Sequence, residues 1–199
     1  NQKKLISQYK ESRNTIAAFQ TRNFPHSGHE AIIKYLLSKV DYVVVNPLIG
    51  AKKKGDVNYK TLIQSYEFLI DKKFSKKVLI SPVIANFFYA GPREACHHAI
   101  IRKNLGYTHF SVGRDHAGAE NKYDVNLASK TAKNLESKLN IKIIETEGAV
   151  YCRKCKKSVI KNICEHNDKD FIDISGNKFR ENLGKKMYYE YADIDLQKY

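Results

Sequence analysis

Four times along this chain a short apolar run is followed by a stretch with helical spacing, and that alternation restricts the fold more than any other feature. Ile16-Ala17-Ala18-Phe19 reads as a buried strand, and Ile32, Ile33, Leu36, Leu37 and Val40 then recur at helical intervals. Tyr42-Val43-Val44-Val45 is a β-branched run stopped by Asn46-Pro47, with a helix near Leu62, Ile63, Tyr66, Leu69 and Ile70. Val78-Leu79-Ile80 with Val83-Ile84 predicts the third strand, and Ala95 to Asn104 the third helix. Thr108 to Val112, closed by Gly113, precedes a helix over Leu127 to Leu139, and Ile141 to Ile144 is a strand again. Strands alternating with helices make an α/β parallel sheet covered on both faces, with right-handed crossovers. Ligands in such sheets bind beyond the carboxyl ends of the strands. The segments to search for chemistry are therefore Gln20 to His29, Asn46 to Asp56, Asn86 to Arg93 and Gly113 to Gly118.

Tyr151 to Asp170 breaks the alternation. It is polar and lysine-rich and holds three of the four cysteines; Ile172 to Gly176 then leads into a short helix, Asn177 to Leu183. We expect a larger unit over 1–148 and a smaller C-terminal segment over 149–199, without internal repeats. At 199 residues and 42% apolar content the chain can bury a real core. No apolar run approaches the roughly 18 residues of a membrane span. Asn1 to Lys10 carries no signal-peptide pattern, and the first residue, Asn rather than Met, is expected to follow a removed upstream part. Four cysteines are too few for a disulfide scaffold, so a reducing, cytoplasmic setting is expected, with Cys96 a small buried side chain. The net charge of +14 favours anionic partners, although runs such as Lys52-Lys53-Lys54 and Lys185-Lys186 read as solvated surface.

The arginines are more selective than the lysines. Among 28 lysines and seven arginines, Arg22, Arg93, Arg114 and Arg180 lie at or near predicted strand-end loops. A guanidinium fork grips tetrahedral oxyanions in a way that lysine cannot. Beside Arg22, His26 and His29 are three apart at a helix start, where free backbone N–H groups already favour anions.

Gln20-Thr21-Arg22-Asn23…His26-Ser27-Gly28-His29 resembles the Q-x-R-N…H-x-G-H signature of the ATP sulfurylase (sulfate adenylyltransferase) family. Ala90-Gly91-Pro92-Arg93-Glu94-Ala95, with His98 to Asn104, is similar to a second block of that family, and Gly113-Arg114-Asp115-His116-Ala117-Gly118 to a third. Pro47-Leu48-Ile49-Gly50…Lys54-Gly55-Asp56 and Ile174-Ser175-Gly176 are weaker matches, and the set runs in family order through residues 16 to 183. The resemblance implies a Rossmann-like nucleotidyltransferase fold with a small zinc-binding C-terminal segment. It implies the reaction ATP + sulfate → adenylyl sulfate + pyrophosphate, with magnesium accompanying ATP and a possible homo-oligomer. Carried over by residue, Gln20, Arg22 and Ala117 would hold sulfate. Thr21, Arg22 and Asn23 would form the catalytic loop, and His26 and His29 would stabilise the transition state. Gln20, Asn23, His26, His29, Gly113, Arg114, Asp115, His116 and Ala149 would contact ATP. One departure is local: the family pattern Asn-Pro-x-His is here Asn23-Phe24-Pro25-His26, and Pro25 restrains Phe24, so a different loop path is expected. The 199 residues include no counterpart of the family's N-terminal domain or of a C-terminal kinase domain.

Cys152-x2-Cys155-x8-Cys164-x-His166 has the ligand types of a closed tetrahedral zinc site, and some bacterial and archaeal members of the resembled family carry a similar insertion. A lysine-rich loop with free thiols is the alternative. His97 and His98 are expected to divide between solvent and packing, His109 to be a satisfied core residue, and Tyr188, Tyr189 and Tyr191 to form a packing edge. Asp56 and Asp115 suit magnesium contact and capping equally. Two other functions fit parts of the chain: a same-fold nucleotidyltransferase acting on another oxyanion or phosphate, and a basic zinc-containing nucleic-acid-binding protein. The second leaves the arginine placement unexplained, and no membrane partner is expected.

Overall fold

The computed structural model describes residues 2–10, 12–50, 58–74, 76–118, 123–174 and 176–198. Five parallel strands form the main sheet: β1 (Ile16–Thr21), β2 (Tyr42–Pro47), β3 (Val78–Ile80), β4 (His109–Gly113) and β5 (Lys142–Thr146), in the order β3-β2-β1-β4-β5. The alternating strand–helix reading is thus borne out. The order reverses between β1 and β4, which makes the ends of those two strands the switch point of a Rossmann-like sheet.

Both faces are buried, and the side-chain period of two sorts the strands between two cores. Ile16 and Ala18 of β1 and Val44 of β2 enter one core. Ala17 and Phe19 of β1, with Val43 and Val45 of β2, enter the other. Helices α2 (Ser27–Leu37) and α3 (Tyr59–Lys73) cover the second core through Ile33, Leu36, Leu62, Tyr66 and Leu69. The first core lies under α4 (Pro92–Leu105), which brings the small residues Ala95 and Ala99 to the sheet, and α5 (Leu127–Asn134), which brings Ala128 and Ala132. Ile6 of α1 (Gln2–Lys10) joins them. Pro92 opens α4 and Gly106, at φ 101°, closes it in the left-handed region that glycine tolerates.

Two boundaries differ from expectation. The helix predicted over Leu127 to Leu139 breaks at Leu135 (φ −96°, ψ 6°) into α5 and α6 (Glu136–Leu139). Glu136 is turned toward the sheet, accepting from the Ile143 N–H at 2.8 Å and from Lys133 and Lys142. Val83 forms only an isolated bridge with Leu48, just after Pro82, and Ile84 is 82% exposed, so the third strand ends at Ile80.

After β5, a second, antiparallel sheet is built from β6 (Ala149–Cys152), β7 (Lys157–Ile160) and β8 (Phe171–Asp173), in the order β7-β6-β8. The helix α7 (Gly176–Gly184) follows. This segment packs on the start of α2: Ser158 Oγ donates to Ser27 Oγ at 2.7 Å, and the Ser27 N–H donates to the Tyr191 carbonyl at 2.7 Å. Among the described residues, no helix is long and apolar enough to cross a membrane.

Candidate functional site

A cleft of about 690 Å³ opens at the switch point. Its walls include Gln20 and Thr21 at the end of β1, the following Arg22 and Asn23, His26 and His29 at the start of α2, Gly113 to Gly118 after β4, Ala149 of β6, and Arg180 of α7. Every residue expected to touch sulfate or ATP lines this cleft. Arg93 does not: it lies exposed on the first turn of α4. Lys54, Gly55, Asp56 and Ser175 lie outside the described residues.

The two histidines form an unusual helix cap. His26 is the residue before α2, and its Nδ1 accepts from the Gly28 N–H at 3.1 Å. His29 reaches back, its Nδ1 accepting from the His26 N–H at 3.2 Å. This is the reciprocal geometry of a capping box, with imidazoles in place of hydroxyl and carboxylate. Accepting at Nδ1 puts the proton of each neutral ring on Nε2, so each ring carries a single N–H donor there. The rings lie 4.0 Å apart and are 8% and 7% exposed. Burial pushes His26 down to about 4 and holds His29 well below the usual histidine range, with neighbouring His26 adding to the effect. Without a ligand, then, the pair is neutral and acts through hydrogen bonds. Gly28 is required by this cap, since a Cβ there would sit 2.9 Å from His26 Cε1.

Arg22 is fixed before any ligand arrives. Its Nη1 donates to Tyr89 Oη at 3.0 Å, and its guanidinium lies 5.1 Å from the Phe87 ring centroid and 5.7 Å from that of Tyr89. Asn23 is held from the far end of the chain, its Oδ1 accepting from Arg180 Nη1 at 2.8 Å. Gln20 and His116 meet at one buried nitrogen: His98 Nδ1 lies 3.1 Å from Gln20 Nε2 and 3.0 Å from His116 Nε2. His98 is buried and His97 exposed, as expected, but His98 is a structural link rather than packing alone. Asp115 and Ala117 both hold positive φ, 53° and 54°. Two non-glycine residues in that region within one short loop mark a backbone shaped for something other than stability. Sequence reasoning placed Phe87 and Tyr89 in a strand-end segment and His98 in a family block but gave none of them a role at the site. No spacing rule connects residue 22 with residue 89.

A second constellation lies apart. The ligand atoms of Cys152, Cys155, Cys164 and His166 all fall within 4.8 Å of one another, and this set could hold a metal ion. His166 Nδ1 lies 3.4, 3.4 and 3.5 Å from the three sulfurs, and the Cys155 and Cys164 sulfurs are 3.8 Å apart. Bond lengths of about 2.3 Å to sulfur and 2.0–2.1 Å to nitrogen give tetrahedral edges of about 3.8 Å (S···S) and 3.6 Å (S···N), so the four atoms are spaced for one ion.

A family model described as ATP-sulfurylase matches residues 3–188. The chain belongs to the ATP-sulfurylase family. It is 45% identical over 172 residues to a protein of Aeropyrum pernix named sulfate adenylyltransferase, covering 86% of this chain and 45% of that one. It is 47% identical over 189 residues to the protein of the same name from Ignicoccus hospitalis, covering 91% and 49%. This ATP-sulfurylase family chain therefore spans about half the length of the curated relatives it matches. Its fold is also that of a solved structure described as a hexameric APS kinase from Thiobacillus denitrificans, with a TM-score of 0.76 at 17% identity over 100% of this chain and 38% of that one.

Proposed function

We propose that this chain performs the sulfate adenylyltransferase reaction: a sulfate oxygen attacks the α-phosphorus of ATP in line, the bond from that phosphorus to the bridging oxygen breaks, and pyrophosphate leaves. The observation that carries the reading is the gathering of Gln20, Arg22, Asn23, His26, His29 and the Arg114 to Ala117 loop around one cleft in a chain of this family. Sulfate is a poor nucleophile and already carries no proton for a side chain to remove, so rate enhancement must come from orientation and preorganised charge. In this reading Gln20, Arg22 and Ala117 hold sulfate. The loop Thr21, Arg22 and Asn23 aligns attack, and Gly113, Arg114, Asp115, His116 and Ala149 receive ATP. His26 and His29 donate from Nε2 to the phosphate chain as negative charge builds on the leaving group. Magnesium would arrive with the nucleotide.

Cys152, Cys155, Cys164 and His166 would hold a structural zinc ion, since three thiolates and an imidazole suit that metal and leave no open position. Residues 1–148 and 149–199 would be the catalytic unit and its metal-bearing appendage. A cytoplasmic setting and a homo-oligomer belong to the same proposal, the former because ATP is the substrate and the thiolates need reducing conditions. Mixing the protein with Mg-ATP, sulfate and labelled pyrophosphate should return label to ATP. Folded protein giving no exchange at any sulfate concentration would end the reading, and exchange with a different oxyanion would reassign the substrate.

A further inference from the structure

Glu94 is a carboxylate with 2% exposure and two backbone amides in its grip. Its Oε1 accepts from the Phe88 N–H and its Oε2 from the Ala90 N–H, each at 3.0 Å. Those amides flank Tyr89, whose φ of 54° is a conformation that side-chain-bearing residues seldom adopt. The same loop supplies both aromatic rings against Arg22 and the hydroxyl that accepts from its Nη1. A guanidinium is planar, so fixing one nitrogen and stacking the plane fixes the directions of its remaining donors. Phe87 also lies edge-on to His98 at 5.7 Å, and His98 Nε2 is 3.5 Å from Glu94 Oε1, so the loop is braced from beneath as well.

We propose that Glu94, with Phe87 and Tyr89, positions Arg22 and thereby sets the affinity of the cleft for a tetrahedral dianion. The inference rests on the sulfate-binding reading of Arg22 given above. Glu94 touches no ligand in this scheme. It holds Tyr89 in its left-handed conformation, and Tyr89 and Phe87 hold the fork. Releasing either carboxylate bond lets Tyr89 relax toward ordinary backbone angles, which withdraws the hydroxyl and the ring together. Arginine would then sample many directions, and a ligand would have to pay the ordering entropy that the loop now pays in advance.

The test is a double-mutant cycle in the full chain, read as the KM for sulfate in pyrophosphate exchange. Glu94→Gln replaces one acceptor oxygen by an amide NH2, which can only donate and so cannot accept from a backbone N–H. It should raise the sulfate KM about tenfold to a hundredfold, the range for losing a hydrogen bond to a charged group. Arg22→Lys should raise it too, and the double variant should be little worse than the worse single one, because both remove the same oriented fork. Additive effects of Glu94→Gln and Arg22→Lys would overturn the proposal. Tyr89→Phe keeps the ring, removes only the hydroxyl and carries little folding risk, so it serves in the cycle even if Glu94→Gln fails to fold. It should raise the sulfate KM severalfold, and an unchanged KM in both Tyr89→Phe and Phe87→Leu would likewise overturn the proposal. Absence of sulfate-dependent exchange in the unsubstituted chain is a separate result, which counts against the catalytic reading and not against the loop.

Discussion

Gly28 shows how one missing methyl group can serve a site. The His26 ring folds over the position a Cβ would occupy, so Gly28→Ala must push that imidazole aside. Alanine is a better helix residue than glycine, and Gly28 lies in the first turn of α2. Gly28→Ala should therefore lower the exchange rate, while the lost His26 cap offsets alanine's helix preference and leaves the melting temperature little changed or lower, as running both assays on one preparation would show. Arg22→Lys keeps the charge and loses the fork, and its maximal exchange rate should drop about 10²-fold or more, the scale of one oriented charge-stabilising group. At this scale contiguous letters were a good guide to which residues gather around the cleft, as in Gln20 to His29 and Gly113 to Gly118. The sequence was a poor guide to Glu94 and Tyr89. Their effect on Arg22 exists only after the third strand has been laid beside the second and the fourth beside the first. It was also silent on the protonation of His26 and His29, because imidazole charge is decided by burial, and burial belongs to the folded state.

Among elements, the C-terminal sheet is the one we expect to depend on a bound metal ion. Its four candidate ligands lie between residues 152 and 166 in a polar, lysine-rich stretch, so a metal ion bound there would supply folding free energy. We expect about one zinc ion per chain by elemental analysis, the stoichiometry of a closed four-ligand site. Cys155→Ser should lose that ion and melt at lower temperature. Because Ser158 of β7 and the Tyr191 carbonyl hold Ser27 between the two histidines, the exchange rate should fall as well. Metal-free protein with unchanged melting and freely titrating thiols would favour a simple loop. The break at Leu135 was not readable in advance, since apolar spacing continues through it and only the link from Glu136 to the β5 backbone selects the turn.

The molecule as a whole carries a net charge of +14 and buries imidazoles that resist protonation. His26 titrates near 4 in the folded chain and close to 6.5 when unfolded, so between those values the unfolded state binds more protons. Stability must then fall as pH drops from about 6.5 to about 4, the window set by these two values. His26→Asn retains a good helix cap and removes the titration, and should flatten the slope of melting temperature against pH in that window. An unchanged slope would mean that His26 takes up its proton in the fold as readily as in the unfolded chain. The strand order around the cleft has one more consequence, which concerns time. The histidine turn leaves the ribosome before Arg180, which holds Asn23 and follows His26 by 154 residues. At roughly 5–20 residues per second about 8 to 30 seconds separate the two events, so the growing chain carries its histidine loop unbraced and gains a complete cleft only as synthesis of this stretch closes.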